Sequence, residues 1–452
     1  MKYLFIILLS IITIASNAQE NWQPLFKNKK LSNFQKLNGT AKYKFKDGIL
    51  TGFTKRNTPN TFLATKEIYS DFILEFEVKI EYGMNSGVQF RSNLHEEKKY
   101  VFGYQCEIET SERKWAGGIY DESRRGWLYP LTRNPKGQNA FKNGTWNKYR
   151  IEAIGNQIRT WVNGVQCSNL VDDLTAEGFI AFQVHSIGKH GIEGQKVQWK
   201  NIWVLTENLK TASWQNNDYA VEISRLNNQL TSNEIRKGWR LLWDGKTTNG
   251  WLSAKSDAFP QNGWSIKDGL LIIEKGNGGE SENGGDIITI DEFSNFELSV
   301  DFKISKSANS GIKYFVNTDW NKKKGSAIGL EFQILDGAEH PDALKGLNGN
   351  RTAGALYDLI PPKNMSEPNR DGKRYGYGFN RARIVVKGGK VEHWLNEIKV
   401  VEYDKNSQIF ETLIQHSKYK NIQGFGQNEK GHILLQDHGD TVRFRNIKIR
   451  EL

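Results

Sequence analysis

The stretch FILEFEVKI at residues 72–80 alternates apolar and polar side chains, and FELSVDFKI at residues 296–304 repeats this pattern in the second half of the chain. Residues two apart share one face of a β-strand, so the alternation is typical of half-buried strands. Asp-Gly and Asn-Gly pairs at residues 47–48, 163–164 and 268–269 supply the positive φ angles that tight hairpins need. With 43 glycines, 12% aromatic residues and few helical stretches, the sequence predicts an all-β chain with an antiparallel β-sandwich in each half.

Four short motifs occur twice and in the same order. They are NSGV at 85–88 and NSGI at 309–312, AGGIYD at 116–121 and AGALYD at 353–358, WVNG at 161–164 and WLNE at 394–397, and FQVH at 182–185 and LQDH at 435–438. Four ordered matches indicate a duplicated domain. Polar residues kept in both copies are therefore candidates for architecture, and polar residues that differ are candidates for chemistry.

The chain of 452 residues is long enough for two or three domains, each with its own core. Residues 207–230 are polar and lack β alternation, which predicts a linker between domains at 20–206 and 231–452. Thr231 is followed three residues later by Glu234, and this capping-box spacing predicts a short helix at the start of the second domain.

Residues 1–18 have the pattern of a secretory signal peptide: Lys2, an apolar run to Ile14, and small residues at 16 and 18. We expect cleavage before Gln19 and a periplasmic or secreted protein without a transmembrane anchor; an uncleaved anchor is the alternative. An oxidising compartment would allow Cys106 and Cys167 to pair, but two separate buried thiols are the expected state.

The net charge of +11 does not indicate nucleic-acid binding, because basic residues are scattered among acidic ones and no basic run alternates with aromatics. A diffuse positive surface suits solubility or acidic glycans better. The sequence also lacks the Gly-x-Ser-x-Gly elbow, a phosphate-binding glycine loop and the His-Glu-x-x-His motif, so it offers no support for those enzyme classes.

Two predicted strands carry carboxylates and carboxamides on one face. In LEFQILD at residues 330–336, Glu331 and Gln333 lie on one side, and Phe332 and Ile334 on the other. The matching strand of the first copy places Gln105, Glu107 and Glu109 on its polar face. A solvated outer face would give the same alternation, so this pattern alone does not define a site.

The closing strand of each copy supplies a glutamine and a histidine on one face: Gln183 with His185, and Gln436 with His438. A histidine kept in both copies, together with a polar-face carboxylate on another strand, favours a shared cleft in which Glu331 and His438 meet. Asp437, between Gln436 and His438, should face the other layer and tie down a loop.

The loops differ more than the strands. The segment DGAEHPD at 336–342 includes Asp336 and His340 and could ligate a divalent metal, although a hydrogen-bonded loop that shapes the cleft fits the same residues. In the first copy, Arg91 could hold a sugar hydroxyl or a carboxylate; Phe315 occupies the matching place in the second. Trp115, Trp127 and Tyr129 are candidate platforms for stacking on sugar rings.

These motifs carry a family resemblance. The segments EFQILDG at 331–337, RTAGALYDLIPP at 351–362, VEHWLN at 391–396, GHILLQDHGD at 431–440 and FRNI at 444–447 resemble the 3-keto-disaccharide hydrolase family. The first half resembles it more loosely, through NSG at 85–87, GGIYD at 117–121 and QVH at 183–185. Together the two regions span nearly the whole mature chain.

The resemblance implies two tandem concanavalin/laminarinase-like jelly rolls, each with a sugar cleft on its concave sheet, in an exported enzyme that acts on 3-keto-glycosides. A ketone at C3 acidifies the C2 proton, so a base can remove it, the C1 substituent can leave by elimination, and water can add later. The candidate catalytic residues are Glu331, Gln333 and His438. Candidate substrate-binding residues are Gln436, Tyr357, Arg351, Arg91, Glu107, Glu109, Gln183, His185, Trp115 and Trp127, and the candidate metal ligands are His340 and Asp336.

Two other functions fit the same residues. A jelly roll can serve as a lectin module without catalysis, because the fold does not fix the function. A conventional glycosidase would need a pair of carboxylates, but strand parity places Glu331 and Asp336 on opposite faces. The first copy is either a second active domain or a binding partner.

Overall fold

The computed structural model describes residues 21–26, 31–276, 279–320, 325–363 and 378–452. The expected signal peptide at 1–18 lies outside the described residues. Strands dominate both halves. Those of the first half are β1 (Gln23–Pro24), β2 (Phe34–Asn38), β3 (Lys42–Lys46), β4 (Ile49–Phe53), β5 (Thr61–Thr65), β6 (Phe72–Ile80), β7 (Asn85–Leu94), β8 (Val101–Glu109), β9 (Ile119–Glu122), β10 (Gly126–Tyr129), β11 (Asn147–Ile154), β12 (Gln157–Val162), β13 (Val165–Val171), β14 (Phe179–Val184), β15 (Lys196–Leu205) and β16 (Ile223–Ser224).

The second half repeats this arrangement with fewer strands in its sheets. Its strands are β17 (Arg240–Leu241), β18 (Trp251–Ser253), β19 (Trp264–Lys267), β20 (Leu270–Ile273), β21 (Ile287–Phe293), β22 (Phe296–Ile304), β23 (Asn309–Asn317), β24 (Ile328–Leu335), β25 (Asn380–Lys387), β26 (Lys390–Leu395), β27 (Ile398–Asp404), β28 (Gly431–Leu435) and β29 (Val442–Glu451).

The first half is a sandwich of two sheets. A nine-stranded sheet has the order β16-β13-β12-β11-β6-β15-β4-β3, with β1 added on β15, and a seven-stranded sheet has the order β10-β9-β8-β7-β14-β5-β2. Among the described strands the pairing is antiparallel except between β13 and β16. Strands distant along the chain are neighbours, as β6 and β15 are, which is the long-range connectivity of a jelly roll.

The second half is a sandwich of an eight-stranded sheet, ordered β19-β20-β29-β22-β25-β26-β27 with β17 on β29, and a five-stranded sheet, ordered β18-β21-β28-β23-β24. Phe302, Phe332 and Phe444 are buried in its core. The prediction of an all-β chain with two tandem jelly-roll sandwiches is confirmed.

Helices are few and short: α1 (Pro135–Gln138), α2 (Leu209–Ala212), α3 (Ser232–Arg236) and α4 (Gln408–Gln415), with 3-10 turns at Leu131–Arg133 and Pro341–Leu344. The predicted capping box is present at α3, where the Thr231 side chain accepts from the Glu234 backbone and the Glu234 side chain accepts from the Thr231 backbone. None of the described helices is long and apolar enough to cross a bilayer.

Charged side chains join the two halves. The carboxylate of Glu397 lies 3.5 Å from a guanidinium nitrogen of Arg133 and 3.5 Å from one of Arg225. Its backbone oxygen accepts a hydrogen bond of 2.6 Å from Thr132. Arg381 crosses in the other direction and donates to the backbone oxygen of Ser224 at 2.8 Å. Both ends of each contact are largely buried, so the junction is held by a polar network as well as by the chain itself.

Candidate active site

The outer face of the five-stranded sheet is polar along β23 and β24. In their antiparallel register Lys313 lies opposite Glu331, and Gly311 lies opposite Gln333. Residues directly opposite in such a pair project from the same face, so all four positions share the surface that points away from the core. Phe332 belongs to the hydrophobic core, which confirms the alternation predicted for β24.

Glu331 is buried, with 5% of its surface exposed. Its carboxylate extends over Gly311, where a Cβ atom would lie only 2.4 Å from Oε1, so the glycine makes room for it. Burial raises the pKa of Glu331, and the nearby charges of Lys313 and Lys418 oppose this effect. A carboxyl group in this state is a stronger base than an exposed glutamate once it is ionised.

Lys313 is the partner of Glu331, and the sequence analysis missed it. Its Nζ lies 3.8 Å from Oε2 of Glu331 and donates to the backbone oxygen of Ala327 at 3.1 Å. It also donates to Oγ of Ser326, which in turn donates to the buried carboxylate of Asp286. These contacts fix the ammonium group in one position beside the glutamate.

A cavity of about 190 Å³ opens beside this pair. Its polar lining comes from Lys313, Ser326, Glu280 and Lys418, and its apolar lining includes Tyr419. Glu280 accepts a hydrogen bond of 3.0 Å from the side-chain amide of Gln436. The cavity thus combines two ammonium groups, one carboxylate and an aromatic ring, which together can bind hydroxyl groups and exchange protons.

Gln333 is a buried polar side chain on the same face. The residue is 1% exposed, and its Oε1 accepts no hydrogen bond from the described residues. Its Nε2 makes only a long contact of 3.4 Å to Oδ1 of Asn309. A buried carbonyl without a partner costs about 1–3 kcal/mol, so a sugar hydroxyl bound there would recover that energy.

His438 lies beside His340. The two imidazole rings are perpendicular, with centroids 6.4 Å apart. Nδ1 of His340 accepts from the backbone N–H of Asp342 at 3.1 Å, while burial and the neighbouring His438 lower the pKa of His340. The groups that act on Glu331 are Lys313, Lys418, Glu280 and Asp286. The expected meeting of Glu331 with His438 stays a prediction, and the charged partner that the structure places beside Glu331 is Lys313.

Arg351 and Tyr357 belong to a network that holds the loops around the cavity. Arg351 donates to Asp358 at 2.7 Å and to Asp342 at 3.2 Å. The Tyr357 hydroxyl donates to the other oxygen of Asp342 at 2.8 Å. Asp358 also accepts from the backbone N–H of Lys418 at 2.8 Å. This network positions the ring of Tyr357 under the ammonium group of Lys418.

The metal ligands suggested by the sequence lie in one turn, where the backbone N–H of His340 donates to the backbone oxygen of Asp336 at 2.9 Å. Asp336 uses its two oxygens to accept from the backbone N–H groups of Ser307 and Ala338, at 2.9 and 3.3 Å. His340 is bonded within its own loop, as described above. The part of the chain that the structure describes contains no group of three or more His, Cys, Asp or Glu side chains arranged to hold a metal ion. The assignment of Asp336 and His340 to a metal stays a prediction, and both side chains accept hydrogen bonds from backbone N–H groups, as the alternative of a hydrogen-bonded loop also requires.

Asp437 has the loop-tying role expected from its position. It is fully buried, and its Oδ2 accepts from the backbone N–H groups of Gly284 and Gly285 at 2.9 and 3.0 Å. Its Oδ1 accepts from Gly439 at 2.9 Å. The carboxylate therefore anchors the loop that precedes β21.

The first domain has the same register but different side chains. Gln89 lies opposite Gln105, and Gly87 lies opposite Glu107. Relative to the NSG motifs, Gln89 and Gln105 occupy the places of Lys313 and Glu331. Gln89 donates to Gln105 at 2.8 Å, and Gln105 donates to Glu107 at 3.0 Å. An uncharged amide pair therefore replaces the ion pair. The carboxyl group of this strand, that of Glu107, lies opposite Gly87, in the place that Gln333 has in the second domain.

Glu107 is nevertheless unusual. Burial and the neighbouring Glu109 raise its pKa to about 8, against the opposing effects of Asn85, Gln105 and Arg113. On β14, which is separated from the Glu107 strand by β7, Gln183 is fully buried. Neither its amide nitrogen nor its oxygen has a hydrogen-bond partner among the described residues. Burial lowers the pKa of His185, whose Nδ1 lies 2.7 Å from the oxygen of Ser186.

Trp115 and Trp127 form a partly exposed aromatic pair at the rim of this domain, with ring centroids 4.7 Å apart. The guanidinium group of Arg113 lies 4.7 Å from each ring and pairs with Glu109 at 2.6 Å. They remain candidates for contact with a sugar. Tyr129 does not, because it is buried and donates to the backbone of Val221.

Arg91 does not face the cleft. Its three donor groups bond the backbone oxygens of Ser70 and Gly155 and the carboxylate of Asp71, at 2.6–2.8 Å. Its φ of 44° lies at an irregularity between Phe90 and Asn93 that breaks the strand alternation. The sugar-binding role expected for Arg91 is therefore corrected to a structural one.

Cys106 and Cys167 are both free and buried in the core of the first domain. Burial raises the pKa of each thiol. They are the separate buried thiols that the sequence favoured.

A family model described as a 3-keto-alpha-glucoside-1,2-lyase-like domain matches residues 21–205 and again residues 238–450. The chain belongs to this family. Two 3-keto-alpha-glucoside-1,2-lyase-like domains in tandem confirm both the duplication and the resemblance seen in the sequence.

Relatives agree with this assignment. A 3-keto-disaccharide hydrolase of Bacteroides thetaiotaomicron is 37% identical over 238 residues, which are 48% of this chain and 79% of the relative. Two crystal structures of candidate glycosyl hydrolases from Parabacteroides distasonis are also similar. One is 28% identical, with a TM-score of 0.44, and the match covers 50% of this chain and 100% of that chain. The other is 26% identical, with a TM-score of 0.33, and the match covers 47% of this chain and 99% of that chain. The family and the curated relative identify the chain as a glycoside hydrolase- or lyase-type enzyme.

The residues missed by the sequence analysis carried one usable signal. Lys313 lies between Ile312 and Tyr314 in an otherwise apolar strand, and the matching position of the first copy is Gln89. A difference of charge between the copies at that position marks it as a candidate for chemistry. Lys418 and Glu280 lie in loops that share no motif with the first copy, so comparing the two copies could not identify them.

Proposed function

We propose that this enzyme cleaves 3-keto-glycosides in its second domain, by removal of the C2 proton and elimination of the C1 substituent, with later addition of water for net hydrolysis. The observation that carries the proposal is the buried Glu331 carboxylate opposite Lys313, on the polar face that also contains the unpartnered oxygen of Gln333. The names of the family and of the curated relative supply the substrate class.

Glu331 is the proposed base. The C3 ketone makes the C2 proton acidic, so a carboxylate with a raised pKa can remove it. The negative charge then spreads to the ketone oxygen as an enolate. Lys313 is held beside the glutamate by Ser326 and Ala327, and its fixed positive charge stabilises that developing charge without reorganisation.

Gln333 and Gln436 are the proposed contacts for sugar hydroxyl groups. Gln333 offers an unpartnered buried oxygen, and Gln436 reaches the cavity through Glu280. His438, beside His340, is kept as a candidate acid near the leaving oxygen. The proposed steps use only side chains of this chain, while Asp336 and His340 accept hydrogen bonds from backbone N–H groups.

The first domain is proposed to bind sugar without performing this elimination. Gln89 and Gln105 lack the charges of Lys313 and Glu331, so the base and its cation are both missing from that register position. Gln183, with its two unpartnered amide atoms, and the rim pair of Trp115 and Trp127 are the groups proposed to contact the ligand. We also propose that the mature protein is periplasmic or secreted, on the pattern of residues 1–18.

The test compares an aryl glucoside with its 3-keto derivative, each with and without a chelator. Cleavage of the keto compound alone supports elimination, cleavage of the plain glucoside would favour a conventional glycosidase, and binding without cleavage would favour a lectin. Glu331→Gln should lower kcat by roughly 10²- to 10⁴-fold while the protein remains folded. Glu107→Gln, the carboxyl-to-amide change in the first domain, should cost less than about tenfold; the reverse ranking would move the chemistry to the first domain.

A further inference from the structure

Lys418 lies at the mouth of the cavity beside the proposed base. It follows α4 in a loop whose backbone is fixed by the 2.8 Å hydrogen bond to Asp358. Its Nζ lies 4.2 Å from the ring centroid of Tyr357 and 5.1 Å from that of Tyr419. The side chain lines the cavity together with Lys313 and keeps part of its surface exposed to solvent, so a bound sugar could reach it.

The two lysines of the cavity differ in their bonding. Nζ of Lys313 is held by Ser326, Ala327 and the carboxylate of Glu331. Nζ of Lys418 has aromatic neighbours, and it makes neither a hydrogen bond nor an ion pair with any residue that the structure describes. Lys313 is therefore suited to remain a fixed ammonium ion, whereas Lys418 is a free amine in reach of a ligand.

The surroundings of Lys418 make its amine easier to deprotonate than an ordinary lysine. Loss of water around the amine lowers the pKa of Lys418, and the charge of Lys313 lowers it further, against the opposing carboxylates of Glu331, Glu280 and Asp358. A lysine placed beside a second cation is an established arrangement for amines that attack carbonyl groups. Lys313 would then serve two purposes, since it also pairs with the proposed base.

We propose that Lys418 forms a Schiff base with the C3 ketone of the sugar during the reaction. The proposal rests on the proposed function, because it requires a ketone in the substrate. An iminium ion withdraws electrons from the C2–H bond more strongly than the neutral ketone does. The amine therefore strengthens the same proton removal that is assigned to Glu331.

The steps balance without an oxidant or reductant. The neutral amine attacks C3, and the C3 oxygen leaves as water with one proton from the amine and one from solvent, which leaves an iminium ion. Glu331 takes the C2 proton, and the C–H electron pair forms an enamine. The nitrogen lone pair then restores the iminium, a C1–C2 double bond forms, and the bond from C1 to the aglycone oxygen breaks. The aglycone takes the proton from Glu331, and water hydrolyses the iminium to regenerate the amine and the ketone.

Borohydride trapping tests the proposal. Glu331→Gln enzyme is incubated with an aryl 3-keto-glucoside and sodium borohydride, followed by measurement of intact mass and peptide mapping. Because the elimination is blocked, the iminium should accumulate, and reduction should leave the sugar and its aryl group attached at residue 418. The Glu331→Gln, Lys418→Arg double variant should carry no adduct. The Glu331→Gln, Lys420→Arg double variant, changed at an exposed neighbour, should carry as much adduct as the Glu331→Gln enzyme.

Turnover of the wild-type enzyme separates the two proposals. If it does not cleave the keto substrate, the proposed function fails. If it cleaves the substrate but the Glu331→Gln enzyme carries no adduct, or carries it on another lysine, only the Schiff base is overturned. A folded Lys418→Arg single variant with wild-type kcat would overturn it as well. Melting temperatures of all variants establish that they fold.

As a second measurement, exchange of the C3 oxygen with ¹⁸O-labelled water accompanies formation and hydrolysis of the imine. The Glu331→Gln enzyme should catalyse this exchange at least tenfold faster than the buffer background, and the Lys418→Arg double variant should not exceed that background. Equal rates in the two variants would overturn the proposal without reference to trapping.

Discussion

Replacement of Gly311 by alanine should displace the proposed base without unfolding the protein. A Cβ atom at this position would lie 2.4 Å from Oε1 of Glu331, closer than non-bonded atoms can approach. Gly311 is not among the residues with positive φ, so its backbone accepts an alanine. Because the clashing atom is the end of a side chain, the carboxylate should move, by about 0.5–1 Å, while the sheet remains in place.

The expected loss follows from that displacement. A misplacement of about 1 Å can cost roughly 100-fold in rate, which corresponds to about 2.7 kcal/mol of transition-state stabilisation. The free energy of unfolding should change by less than about 1 kcal/mol, since glycine-to-alanine changes in compatible backbone have effects of that size. The assay is kcat for an aryl 3-keto-glucoside, with a thermal melt of the same preparation.

The first domain provides a matched control. At Gly87 a Cβ atom would lie 2.3 Å from the side-chain carbon Cδ of Gln105, so the clash is nearly the same. Gly87→Ala should leave kcat within about twofold, because the amide of Gln105 is not the proposed base. Wild-type kcat in a folded Gly311→Ala protein, or an equal loss in both variants, would refute the assignment of Glu331.

Three further outcomes are expected. Lys313→Met removes the counter-charge of Glu331 and should raise the pKa of Glu331 further. The acidic limb of the pH profile of kcat/KM should therefore move to higher pH. An unchanged profile would show that Lys313 does not set the ionisation of Glu331. The pKa of Glu107 is about 8 in the folded protein and near 4.5 in the unfolded chain, so the free energy of unfolding falls as pH rises between these values. Glu107→Gln should remove about 3 kcal/mol of that loss between pH 5 and 8. Urea unfolding at each pH measures the difference. Nε2 of His393 lies 2.8 Å from the hydroxyl of Tyr314, and burial lowers the pKa of His393 from 6.5 to about 4. The unfolded state therefore binds more protons, and the free energy of unfolding should fall by about 2 kcal/mol from pH 7 to 5. His393→Phe should flatten that slope.

The strand pattern predicted much of this fold, because alternation, glycine turns and a capping box are local properties of the chain. Glu331 and Gln333 lie on the face that their spacing indicated, and their matching residues in the first copy have the exchanged order that the sequence showed. Duplication strengthened these predictions, since each strand could be compared with its counterpart.

The partners of Glu331 were harder to predict, because they depend on register between strands and on loops. Register shifts within the β23–β24 pair, between Tyr314 and Asn317, cannot be derived from alternation alone. Lys418 comes from a loop far along the chain. Arg91 illustrates the opposite error: a positive φ at an irregularity turns its side chain away from the face that parity assigns to it.

The amide pair of the first domain has an evolutionary consequence. Glutamine codons differ from lysine codons in the first base alone, and they differ from glutamate codons in the same way. Gln89 and Gln105 are thus each separated by a single point mutation from the residues at the equivalent places in the other copy. Genes with this tandem arrangement can therefore gain or lose the ion pair of the paired strands by very few nucleotide changes, while the surrounding sheet stays the same.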